Sequence, residues 1–250
     1  MKLIANDTDL RGMDCHMHSM FSPDSSQTPE QLVAAVRKRG LRGFIITDHV
    51  DVGHWQGCKQ INFDEYFRVW NKVRADNPDL TVYIGLEVGF DARYVAETHA
   101  LIKDLPLEYV INSVHYWQHE GDAFLSGASG AYTEYLQAIA ASLDAPYPFS
   151  AVGHIGFLER YAPPPRDKFV MRYDLYKPIL DEIIAKTLAR GARLEENTNG
   201  GGEMRLPRAD FLRAYKKAGG TRPVLASDAH ASDAIGQYFD TAEKFLDEIF

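Results

Sequence analysis

Short apolar runs recur along the chain, and most of them close on histidine or a carboxylate. The runs are GMDCHMH, GFIITDH, VYIGLEV, YVINSVH, SAVGH and VLASDAH. They end on His16-Met17-His18, Asp48-His49, Glu87, His115, His154 and Asp228-Ala229-His230. Their length and β-branched content predict strands, and RLEEN at Arg193–Asn197 reads as one more. Stretches of helical period lie between them. In TPEQLVAAVRKRG, Thr28 is a predicted N-cap, Pro29 opens the helix, Gln31 completes a capping box and Gly40 stops it. Further helices are predicted over FDEYFRVWNKVRAD, YTEYLQAIAASL, YDLYKPILDEIIAKTLARG, RADFLRAYKKAG and TAEKFLDEIF. Strand and helix alternating end to end imply a parallel sheet with right-handed crossovers. The expectation is one α/β domain over residues 1–250, a TIM-like barrel with seven strands rather than eight. YAPPPRDKF at 161–169 and NTNGGGEMR at 197–205 read as loops on the active-site face.

Parallel barrel strands end at one face, so one pocket would gather six of the nine histidines and at least three carboxylates. Imidazole with carboxylate suits zinc, manganese or iron, and so many ligands imply more than one ion. Strand alternation in MDCHMHS would aim Asp14, His16 and His18 at the barrel axis and Met13, Cys15 and Met17 at the helices.

A formal charge of −8 disfavours nucleic-acid or anionic-membrane binding, which needs a basic face. It leaves a small anionic substrate open, because bound cations reverse the local field. Cys15 and Cys58 are too few for a disulfide framework, which predicts a reducing cytoplasm. The first residues lack the apolar core of a signal peptide, and no run nears the ~20 apolar residues of a membrane span.

Taken together, DCHMHSMFSPDS, ITDH, GLEVGF, INSVHYW, VGHIGFLERY, ENTNGG and ASDAH resemble the polymerase-and-histidinol-phosphatase (PHP) superfamily, most of all its monofunctional histidinol-phosphatase branch. The pattern spans residues 13 to 231. The resemblance implies a distorted (β/α)7 barrel holding three divalent metals. It implies His16, His18, Glu87 and Asp228 at a first site. Glu87 would bridge to a second with His115 and His154, and Asp24, His49 and His230 would form a third. Asp24 rests on the resemblance alone, since SPDS by itself reads as a turn.

The implied activity is hydrolysis of a small phosphate ester, L-histidinol phosphate above all, by a metal-bridging hydroxide. Asp228 is the candidate proton acceptor from the water. Arg160 is a candidate phosphate contact against the alternative of a solvated charge at the start of a loop, and Arg205 is a second candidate. Neither cysteine is needed as nucleophile. Two departures from the family fall where specificity would be set: Gly156, where an acidic residue is common, and the GGGEMR stretch. His54 and His119 are candidate pocket residues, whereas His99 belongs to a helix. Asn197 is a second-layer residue or a cap. Trp55, Trp117 and Tyr116 are pocket walls or core, and Asp14 supports a ligand. Competing functions are a PHP phosphoesterase acting on nucleotides, a non-catalytic metal-holding module, and an amidohydrolase-like C–N hydrolase. The third metal set argues against the last.

Overall fold

The computed structural model describes residues 1–54, 60–116, 127–163, 170–201 and 205–250. Its strands are β1 (Met13–Asp14), β2 (Gly43–Ile46), β3 (His49–Val50), β4 (Thr81–Gly89), β5 (Tyr109–Ser113), β6 (Ala151–Val152), β7 (Arg193–Asn197) and β8 (Val224–Ala226). All neighbours pair in parallel, in the order β1-β2-β4-β5-β6-β7-β8. The short β3 continues the line of β2 and pairs with the far end of β4 through His49 and Glu87. Eight segments therefore make seven staves, the number read from sequence. Cys15 N donates to Leu225 O, Asp228 N donates to His16 O, and Met17 bridges Ala229, which brings the last stave against the first.

The helices are α1 (Pro29–Lys38), α2 (Phe63–Asp76), α3 (Val95–Ile102), α4 (Gly127–Ser142), α5 (Lys177–Ala189), α6 (Ala209–Lys217) and α7 (Phe239–Ile249). The capping box of α1 forms as expected: Gln31 N donates to Thr28 Oγ1 and Thr28 N donates to Gln31 Oε1. Gly40 ends that helix in a left-handed conformation, φ 68°. His99 lies on α3, as predicted. No described helix is long and apolar enough to cross a membrane.

The core has two parts. Phe44, Ile46, Val82, Ile84, Val110, Val152 and Leu194 pack outward under the helices. The alternate strand residues Ile45, Tyr109, Ile111, Ala151 and Val224 form a smaller inner plug. Met13 and Cys15 belong to this plug, not to the helix side. Asp14 correspondingly turns away from the axis, and its carboxylate accepts from Ser227 N and Gly236 N, both at 3.0 Å. Both assignments reverse the alternation expected for MDCHMHS. The cause is a short ladder: regular pairing of β1 ends at Asp14, so the face changes between Cys15 and His16. Cys15 remains unsuited as a nucleophile, because burial pushes its thiol far above the ordinary range.

Candidate metal centre

Glu87, fully buried near the end of β4, is the hub. Its Oε1 lies 2.9 Å from His154 Nε2 and 3.1 Å from His115 Nε2, and those nitrogens are 3.3 Å apart. Its Oε2 lies 3.2 Å from His16 Nε2 and 3.5 Å from His18 Nε2, themselves 3.1 Å apart. Asp228 Oδ1 completes that set at 3.6 and 3.3 Å from the same two nitrogens. In the third set, His49 Nε2 and His230 Nε2 are 3.4 Å apart, with Asp24 Oδ2 at 3.5 and 3.2 Å. Atoms bound to one cation at about 2.0–2.2 Å are spaced about 3 Å from one another, so all three sets have ligand-like spacing.

The fit to cations does not rest on distance alone. Glu87 Oε2 is buried without a well-directed hydrogen-bond donor, although His49 Nδ1 stands only 3.0 Å away. Donors and acceptors here converge on common points rather than on each other. Oxygen and imidazole nitrogen are donors suited to zinc, manganese or iron.

Neighbouring residues hold the ligands. His16 Nδ1 meets Glu195 Oε2 at 2.9 Å, which leaves Nε2 for a metal, and Glu195 Oε1 accepts from His154 N. Ser113 Oγ donates to Glu87 Oε1 at 2.6 Å. A Cβ at Gly153 would stand 2.0 Å from that hydroxyl, which accounts for the glycine of VGH. Asp228 adopts φ 51°, a left-handed conformation that aspartate tolerates. Asp48, grouped from sequence with the pocket carboxylates, instead accepts from Ser19 N, Ser19 Oγ and Ser22 Oγ and braces the 19–22 turn.

Charge is shared unevenly. Burial opposes protonation of His16, but Glu87, Glu195 and Asp228 outweigh it and raise its pKa well above the usual value. Burial is likewise overcome at His49 by Glu87 and Asp24, which raise it to about 10, and at His115 by Asp51 and Glu87. At His18 burial prevails, aided by the charge of His49, and the pKa falls to about 3. Burial would raise Glu87, yet the imidazoles of His16, His115 and His49 hold it well below the carboxylate range.

A cavity of 430 Å³ opens over the three sets, walled by Tyr116, Phe157, Arg160 and Tyr161. Arg160 Nη1 donates to Asp228 Oδ2 at 3.1 Å and Nη2 to Asn197 Oδ1 at 2.5 Å. Asn197 fills both roles open from sequence: its Nδ2 donates to Glu195 Oε1 beside the site, and its Oδ1 accepts from Asn199 N in the turn. Arg205 does not line the cavity. Its Nε lies 3.3 Å from the buried Glu196 carboxylate, and its guanidinium stacks on Phe245 of α7 at 4.3 Å. His54 stands behind Tyr116, its ring parallel at 3.5 Å, and is tied to Asp91 at 2.7 Å. Trp55, Cys58, Trp117, His119 and parts of the 161–169 and 197–205 loops lie outside the described residues. Sequence reasoning passed over Glu195 and Asp51. Alternation within RLEEN would have placed Glu195 on the face of Asn197, whereas Asp51 lies beyond a strand end with no motif to mark it.

Known proteins resemble this chain in sequence and fold. A profile of the PHP domain matches residues 14–199. The histidinol-phosphatase of Lactococcus lactis is 30% identical over 231 residues, covering 88% of this chain and 85% of the relative. A probable histidinol-phosphatase of Clostridium acetobutylicum is 26% identical over 94% of this chain and 92% of its own length. The crystal structure of the L. lactis histidinol phosphate phosphatase, complexed with zinc, L-histidinol and phosphate, superposes with a TM-score of 0.83 at 26% identity, over 95% of this chain and 93% of that one. At 17% identity and a TM-score of 0.57, the metal-dependent tyrosine phosphatases YwqE of Bacillus subtilis and CpsB of Streptococcus pneumoniae share the fold, over 95% of this chain and 87% of theirs. Fold and sequence agree, and the chain belongs to the PHP family.

Proposed function

We propose that this protein is a metal-dependent phosphomonoesterase whose substrate is L-histidinol phosphate, and that three divalent ions, zinc, manganese or iron, serve it. The observation that carries the reading is the convergence of three imidazole–carboxylate sets under a cavity walled by a cationic side chain, in a chain whose relatives are histidinol-phosphatases. His16, His18, Glu87 and Asp228 would hold the first ion, Glu87, His115 and His154 the second, and Asp24, His49 and His230 the third. Bound there, such ions lower the pKa of water and neutralise phosphoryl oxygens.

The chain's own groups do the remaining work. Arg160 offers a planar donor pair to a phosphate oxygen and carries the one guanidinium among the described residues lining the cavity. Asp228 Oδ2 is the proton acceptor. Burial would raise that carboxyl, but His16, His18 and Arg160 keep it ionised and able to accept. Glu195 fixes the tautomer of His16. Tyr116, Phe157 and Tyr161 form an aromatic wall for the leaving alcohol.

The test is phosphate release from L-histidinol phosphate by metal-loaded protein, beside nucleoside monophosphates, phosphotyrosine and simple alkyl phosphates, with His16→Ala as control. Selective release that disappears in the control supports the proposal. Equal or faster release from another ester moves the substrate elsewhere while keeping the phosphatase. Full metal content with no hydrolysis of any ester removes the enzymatic reading.

A further inference from the structure

Two ligand sets that look separate in the sequence share one carboxylate. His49 stands on β3 and His115 follows β5; β4 runs between those staves. Asp51 reaches across the gap. Its Oδ1 lies 2.8 Å from His115 Nδ1, and its Oδ2 lies 3.4 Å from His49 Nδ1, an electrostatic contact longer than the 3.0 Å between that nitrogen and Glu87 Oε2. The two imidazoles meet edge to face, centroids 5.2 Å apart at 82°. Asp51 is buried, so this contact is made without competing water.

The space for that carboxylate is made by an absent side chain. Gly89 ends β4 directly beneath it, and a Cβ there would sit 1.8 Å from Asp51 Oδ1 and 3.2 Å from His115 Nδ1. Gly89 has no left-handed φ to explain it, so close approach is the reason for glycine. A neutral histidine carries one ring proton, and a carboxylate at Nδ1 places it there, leaving Nε2 as lone-pair donor. Those Nε2 atoms face Glu87 Oε1 in one set and Asp24 Oδ2 in the other.

We propose that Asp51 is a positioning residue that orients His115 and His49 together, so that loss of its carboxylate weakens the second and third ligand sets together and the first set, which it does not touch, least. This rests on the three-ion reading above.

The experiment is calorimetric titration of metal-free wild type, D51N and G89A with Zn²⁺, with total metal content measured on each. D51N keeps the volume and one acceptor oxygen; G89A displaces the carboxylate from the opposite side. Expected is the smallest change at the ion held by His16, His18, Glu87 and Asp228. The two remaining ions should both weaken, by about 10–100-fold as for other partners of metal-bound histidines. Both variants should give the same selective pattern, and D51A a larger loss than D51N. A uniform loss at every site alongside a lowered melting temperature would overturn the proposal, since Asp51 would then only support the fold. Unchanged isotherms in D51N and G89A would overturn it too. So would the loss of one whole ion with the others untouched, which would make Asp51 a ligand. Wild-type protein that takes up no metal refutes the three-ion reading itself, an outcome separate from any difference between wild type and D51N.

Discussion

The barrel interior has two halves built from the same strands. Below, Met13, Ile45, Ile111, Ala151 and Val224 make a dry plug. Above, His16, Glu87, His115, His154 and Asp228 make a buried cluster of ionisable groups. Ile111 lies on β5 with His115 just beyond its end, and Ala151 lies on β6 with His154 just beyond its end. The plug gains from removing apolar surface from water. The upper cluster forgoes hydration of several charged or polar side chains and is tolerable only with counter-charges at close range. The lower half therefore carries stability, and the upper half carries chemistry at a cost that bound cations offset.

The sharpest way to separate the halves is to cut one residue from each. Glu87→Gln removes charge from two ligand sets together, and should abolish hydrolysis and reduce metal content, read by elemental analysis and phosphate release. Arg160→Ala leaves every ligand in place. It should lower kcat by about 10²–10³, the range seen when one donor to a developing oxyanion is lost, with metal content unchanged. Ile111→Ala should destabilise the fold by about 2–5 kcal/mol in a denaturant titration, with unchanged kcat per folded, metal-loaded molecule. If Ile111→Ala also lost metal selectively, the two halves would not be separable.

Much of this division was legible in the sequence because it follows from chain period and strand polarity. The capping box of α1, the span Phe63–Asp76 and the strand-end markers are local signals, and local signals survive folding. The face of Cys15 was not legible: alternation presumes a continuous ladder, and the β1 ladder stops at Asp14. Asp51 and Glu195 were passed over for another reason. Alternation within RLEEN records the face of Glu195, but its contact with His16, like that of Asp51 with His115, depends on which staves lie side by side.

Protons supply a finer contrast. In metal-free protein the carboxylates hold His16, His49 and His115 protonated near neutrality, with His49 raised to about 10. Metal ligation needs the neutral ring, so loading must expel these protons, and apparent metal affinity should rise with pH. For the metal-free fold the sign is opposite. A histidine pKa raised above its unfolded value of about 6.5 stabilises fully below that pH, and the His49 contribution is lost as pH climbs toward about 10. Calorimetry in two buffers of different ionisation heat should show net proton release on loading at pH 7.5; none would mean the rings are already neutral. The plug has no titrating group in this range, so Ile111→Ala should leave the proton count unchanged.

The smallest effect on activity belongs to a charge outside both halves. From sequence, Arg160 and Arg205 were both candidates for phosphate, yet only Arg160 reaches the cavity. Arg205 stands behind the barrel wall, because Glu196 alternates outward between Glu195 and Asn197 and needs a cation beside it. Burial nonetheless pushes Glu196 up to about 8, with Arg205 only partly opposing it. A carboxyl raised this way favours the fold below its unfolded pKa of about 4.3 and loses that contribution as pH rises through 8. Arg205→Ala should therefore leave kcat and KM for the phosphate ester within about twofold, since surface and remote substitutions rarely touch chemistry. It should lower the melting temperature more at pH 8 than at pH 6, because Glu196 ionises in the higher range. Arg205→Ala combined with Glu196→Gln should recover most of that loss, as expected when both partners of a buried pair are neutralised. A fall in kcat with the melting temperature intact would put Arg205 back on the substrate.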